Sequence, residues 1–151
     1  FRMIIPEIYK SILRLQESIG EYINNLTMWM NKLFEDNQDF EQLKNGNGID
    51  HNWVLNTKGD MTRPCATLES PATGIILDVF TDEPGIQVYC GNFLDGTVTG
   101  KKGIVYNFRA AVCLETDKYP DTPNKPEWPS AVLRPGEKYH TRCIYKFSVR
   151  K

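Results

Sequence analysis

From residue 50 onward, short apolar runs recur between turn signals, and none is long or periodic enough to be a helix. His51–Asn56 opens the series, and Lys58-Gly59-Asp60 turns the chain into a second run over 60–69. A third run, 74–81, is rich in Ile, Val, Leu and Phe. Asp82-Glu83-Pro84-Gly85 is a further turn, followed by 86–90. Asn92–Gly103, with Asp95-Gly96 inside it, is turn-rich, and 110–116 is apolar again. Five prolines between 119 and 136 (Pro120, Pro123, Pro126, Pro129 and Pro135) predict an extended loop with no room for a helix. The last run alternates: Tyr139, Thr141, Cys143, Tyr145, Phe147 and Val149 take one face, with His140, Arg142, Lys146 and Ser148 on the other. This predicts a half-buried strand. With no strand–helix–strand alternation, the expected class is mainly β, an antiparallel β-sandwich.

The first 35 residues have another texture. Ile5, Ile8, Ile12, Leu15, Ile19, Tyr22, Leu26, Trp29 and Leu33 follow a 3-4 spacing, the a/d pattern of a heptad. Pro6 suits a first helical turn, and Asn45-Gly46-Asn47-Gly48 is a breaker. A long N-terminal amphipathic helix is therefore expected, roughly 45 Å at ~1.5 Å per residue. Ile4, Leu13, Ile23, Met30 and Phe34 widen the stripe, favouring packing on a broad surface within the chain. Self-association through this helix is the other reading. The division expected is 1–40 as helical segment and 41–151 as β-sandwich.

Charge narrows the partners. Eighteen Lys+Arg against 19 Asp+Glu give a net charge of -1, so no electrostatic case exists for nucleic acid or an anionic membrane. No run is long enough to span a membrane, and the opening residues do not read as a signal peptide; a cytoplasmic location is favoured and the compartment is left open. Cys65, Cys90, Cys113 and Cys143 form no C-x-x-C pair, which disfavours zinc. They read as small buried hydrophobes, with disulfides as the alternative. No metal and no cofactor is expected.

Polar groups at strand ends are of the types that a sugar site needs, but their types alone do not single one out. Asp50-His51-Asn52-Trp53 gathers an acid, an imidazole, an amide and an indole. Carboxylates and amides hydrogen-bond hydroxyls, and aromatic faces pack on sugar C–H groups. Glu115 ends an apolar run, and Gln87 lies within Pro84-Gly85-Ile86-Gln87-Val88-Tyr89.

Five blocks in order resemble the aldose 1-epimerase (galactose mutarotase) family. They are Gly48-Ile49-Asp50-His51-Asn52-Trp53-Val54-Leu55-Asn56; Thr81-Asp82-Glu83-Pro84-Gly85-Ile86-Gln87-Val88-Tyr89; Gly91-Asn92-Phe93-Leu94-Asp95-Gly96-Thr97; Cys113-Leu114-Glu115-Thr116 with Tyr119-Pro120-Asp121; and Leu133-Arg134-Pro135-Gly136-Glu137. The resemblance covers about 41–149 and corresponds to the C-terminal part of the family chain; Ser18-Ile19-Gly20-Glu21 faintly matches the stretch upstream. It implies a galactose mutarotase-like sandwich, partial here, with a sugar cleft on one face. The substrate implied is a free monosaccharide, an aldohexose such as galactose or glucose, whose α and β anomers are interconverted by ring opening and closure. By their blocks, Glu115 corresponds to the general base, and Asp50 and Gln87 to sugar-binding groups. His51 is read as structural.

Two departures accompany the resemblance. The family's general-acid histidine comes from its N-terminal half, and residues 1–49 here contain no histidine. After Leu-Glu-Thr the family commonly has Gln, where this chain has Asp117. A non-catalytic sugar-binding fragment, or a helix-mediated oligomerisation module, are the alternative functions.

Overall fold

The computed structural model describes residues 41–70 and 74–150. The heptad segment 1–40, with the helix and self-association read from it, lies outside the described residues. The described residues divide into two compact units, 41–51 with 88–114 and those of 52–87 with 115–150. Each is described by itself.

All six expected strands form, with shifted ends. They are β1 Asp50–Val54, β2 Ala66–Ser70, β3 Ile75–Thr81, β4 Gly85–Tyr89, β5 Cys113–Asp117 and β6 Cys143–Val149. A short helix, α1 Glu41–Asn45, precedes them and buries Leu43. One sheet has the order β1-β4-β5 and the other β2-β3-β6. The architecture is mainly β with two antiparallel sheets.

Turn chemistry explains the shifted ends. The run expected from 60 starts as strand only at Ala66, because Asp60 Oδ1 accepts the Thr62 N–H at 2.9 Å and Pro64 has no N–H to give a ladder. The run expected from 110 starts at Cys113, because Arg109 adopts φ 57 and the Ala110 N–H turns back to Asn107 O at 3.0 Å. The run expected from 139 starts at Cys143. There the partner strand ends: Thr81 pairs with Cys143, and Asp82 then clamps the incoming chain. The Asp82 carboxylate accepts the Arg142 N–H at 2.7 Å and the Thr141 hydroxyl at 3.1 Å. The Arg142 N–H, more than the other contacts, holds the Asp82 carboxyl below its usual range. The proline-rich stretch forms neither strand nor α-helix, only a short 3-10 turn at Thr122–Asn124.

The expected half-burial of the last strand does not hold. Every residue of β6 is exposed. The alternation itself is right: Cys143, Tyr145, Phe147 and Val149 lie opposite Thr81, Val79, Leu77 and Ile75. Val79 is fully buried on this apolar face, but Phe147, on the edge strand, is 68% exposed. β6 has β3 on one side only, and no described residue covers its apolar side chains.

The four cysteines are free thiols, and the expectation that all four are buried fails. Only Cys90 is buried; burial pushes its thiol up to about 11. Cys65 and Cys113 are half-buried and Cys143 is exposed.

Candidate functional site

Asn52, Gln87, Glu115 and Asp117 belong to one compact unit. The Leu55 N–H donates to Pro84 O at 2.9 Å, and the Cys90 N–H to Ile49 O at 3.2 Å. These bonds bracket an antiparallel β1–β4 pair in which Asn52 lies opposite Gln87. Gly85 at one end of β4 neighbours Tyr119, and Gly91 beyond the other neighbours Ala111, so β5 runs antiparallel on the other side. Glu115 is thereby level with the middle of β4. Strand alternation places Glu115 and Asp117 on the same face of β5. Glu115 is exposed, and Gln87 is half-buried.

Gly85 makes room for a cross-strand bridge. Asn52 Nδ2 donates to Asp117 Oδ1 at 2.7 Å. A Cβ on Gly85 would stand 2.6 Å from Asn52 Oδ1 and 3.0 Å from Tyr119 Cδ1, so the bridge and the tyrosine ring pass where any other side chain would be. Tyr119 meets Trp128 edge-on, with ring centroids 5.5 Å apart. Partial burial, aided by the charge of Glu83, pushes the Asp117 carboxyl above its usual range, against the pull of the Asn52 bond.

Glu83 is a buried carboxylate, 3% exposed, within the turn between β3 and β4. Lys118 forms a salt bridge to it, the Tyr139 hydroxyl lies 3.4 Å away, and its N–H donates to Thr81 Oγ1 at 3.0 Å. Sequence reasoning took Asp82–Gly85 only as a turn and missed this ion pair. The residue types gave no signal, because the lysine comes from beyond β5.

Asp50 belongs to the other unit, where it is exposed at the start of β1. The loop leading into it is built on Asn92, which is 2% exposed. Asn92 Nδ2 donates to Gly46 O and Ile49 O, each at 2.9 Å, and Asn92 O accepts from Asn47 Nδ2 at 3.0 Å. Arg109, also buried, donates through Nη2 to Asn47 O at 3.2 Å. Gly48 sits among them with φ 135, where a Cβ would be 2.6 Å from Asn92 Oδ1. This arrangement fixes the backbone that presents Asp50. In the sequence, Asn92 opens a turn-rich stretch and Gly91-Asn92 begins a family block, but neither reading signals this closure.

His51 is buried, and its Nδ1 accepts the Asp50 N–H at 2.9 Å, which fits the structural reading. Burial lowers its pKa below 6.5, outweighing the Asp50 charge. Below 6.5 the unfolded chain therefore binds a proton that the folded one still refuses. The contribution to stability is complete above about 6.5 and is lost as pH falls from there through the folded-state value. Urea midpoints measured from pH 7.5 to 5 are expected to fall less steeply in His51→Gln than in the parent chain. Parallel curves would refute this account. Trp53 alternates with Asn52 on β1 and so points to the opposite face, away from the role that an indole near Asp50 suggested. Tyr119 is the aromatic ring shown beside the Asn52–Asp117 bridge, with Trp128 edge-on to it.

Among the described residues, no cluster of three His, Cys, Asp or Glu could hold a metal, and no helix is long and apolar enough to cross a membrane.

These strand positions can be set against known proteins. The family model described as aldose 1-epimerase matches residues 18–146, reaching further back than the five blocks. Galactose mutarotase of Mus musculus is 48% identical over 102 residues, 68% of this chain and 30% of that protein. Galactose mutarotase of Homo sapiens is 48% identical over 104 residues, with the same shares. Aldose 1-epimerase of Escherichia coli (strain K12) is 39% identical over 102 residues, 66% of this chain and 29% of that one. A crystal structure of a GalM/aldose epimerase homologue from C. elegans superposes with a TM-score of 0.60 at 31% identity, covering 79% of this chain and 34% of that chain. The chain thus spans about 30% of the length of the mutarotases it matches. Sequence over most of its residues and strand arrangement agree: the chain belongs to the aldose 1-epimerase family.

Proposed function

We propose that this chain carries the base side of an anomerisation site for free aldohexoses such as galactose or glucose. Glu115 takes the proton from the anomeric hydroxyl, the ring opens, the carbonyl turns, and the ring closes on its other face. Gln87 and Asp50 hold hydroxyls of the sugar, and the two sheets are layers of one antiparallel β-sandwich. Family membership carries this reading. The exposure of Glu115 supports it, since a base must reach its substrate from solvent.

The residues divide the work by chemistry. A carboxylate accepts a proton from a hydroxyl, while an amide both donates to and accepts from hydroxyls. The proton delivered to the ring oxygen has no histidine donor within residues 1–49, and water or a group elsewhere would supply it. Neither metal nor organic cofactor enters these steps.

Polarimetry of freshly dissolved α-D-galactose and α-D-glucose, with and without the full chain, tests the proposal. The expected result is faster decay of optical rotation in proportion to protein concentration. A folded sample that leaves the uncatalysed rate unchanged overturns the catalytic reading.

A further inference from the structure

We propose that Asp117, held by Asn52 across Gly85, is a further sugar-binding residue that determines which hydroxyl pattern the site accepts. This inference rests on the reading of Glu115 and Gln87 as part of an aldose site.

Asp117 shares the β5 face of Glu115, two residues further along. At ~3.3 Å per residue their backbones are ~6.6 Å apart, comparable to the width of one pyranose ring. A sugar whose anomeric hydroxyl meets Glu115 therefore brings a hydroxyl on the far side of its ring toward Asp117. The Asn52 bond occupies Oδ1 and fixes the carboxyl plane, leaving Oδ2 for a donor. An ionised carboxylate only accepts, so Oδ2 selects a hydroxyl hydrogen. Half-burial strengthens such a bond, since the carboxylate has already given up part of its water. The Tyr119–Trp128 pair beside it offers aromatic surface for sugar C–H groups.

Lys118 does not compete for Asp117. It points to Glu83, which occupies its charge within the same unit. The bridge also depends on Gly85, because a side chain there would push Asn52 off Asp117.

The test is a chemical-shift titration of the full ¹⁵N-labelled chain with D-glucose and its 3-deoxy, 4-deoxy and 6-deoxy analogues, for the parent chain and Asp117→Asn. Asparagine keeps an Oδ1 for Asn52 and replaces only the acceptor Oδ2, and the same spectra report whether the fold is intact. The expected result is glucose binding weakened on the order of tenfold in Asp117→Asn, a charged hydrogen bond lost. For one deoxy analogue the two proteins are expected to bind alike, identifying the hydroxyl read. Equal binding of glucose by both proteins overturns the inference and leaves the aldose site standing. An equal loss for every analogue also overturns it, marking Asp117 as a scaffold residue. No aldose binding to the parent chain overturns the site reading itself.

Discussion

Glu115→Gln is expected to lower the rate of anomerisation by about 10²- to 10⁴-fold, the usual contribution of a positioned general base. Glutamine has the size of glutamate but no basic oxygen, so the anomeric proton must go to water. The substitution asks little of the fold. Glu115 is exposed in the middle of β5, its side chain has no hydrogen bond or ion pair among the described residues, and its neighbours Leu114 and Thr116 point to the other face. The loss should therefore fall on kcat and leave KM within a few-fold, because the hydroxyl contacts proposed for Gln87 and Asp50 are untouched. Polarimetry at several sugar concentrations separates the two. A loss below about tenfold in a folded variant would remove Glu115 from the role of base.

The strands were legible because they obey local rules. Ile75–Thr81 combines β-branched residues with an Asp-Glu-Pro-Gly stop, and it forms as β3 with only its first residue displaced. Boundaries were less legible, since side chains such as Asp60 and Asp82 capture backbone N–H groups and end pairing early. The burial of β6 was not legible at all. Alternation says which residues share a face, and Phe147 does share one with Leu77, but alternation does not say whether anything covers that face. The site shows the same division. Glu115, Asp50 and Gln87 are proposed through family blocks; their residue types alone do not single them out. The Asn52–Asp117 bridge joins residues 65 positions apart across a glycine, and nothing local announces it.

Asn92→Ala is expected to destabilise the folded chain by about 2–4 kcal/mol, a large part of the stability of a small domain. Asn92 is almost wholly buried, and its amide closes the loop before Asp50 by donating to two carbonyls, Gly46 O and Ile49 O. Alanine removes both donors together. Ile49 O keeps the Cys90 N–H, so it loses one bond of two, worth about 0.5–1.5 kcal/mol, while Gly46 O is left without a partner, which costs about 1–3 kcal/mol. Urea titration followed by far-UV circular dichroism is expected to show a lower midpoint with an unchanged slope. A drop below about 1 kcal/mol would mean that water enters and satisfies the Gly46 carbonyl, and that the approach to Asp50 does not depend on Asn92.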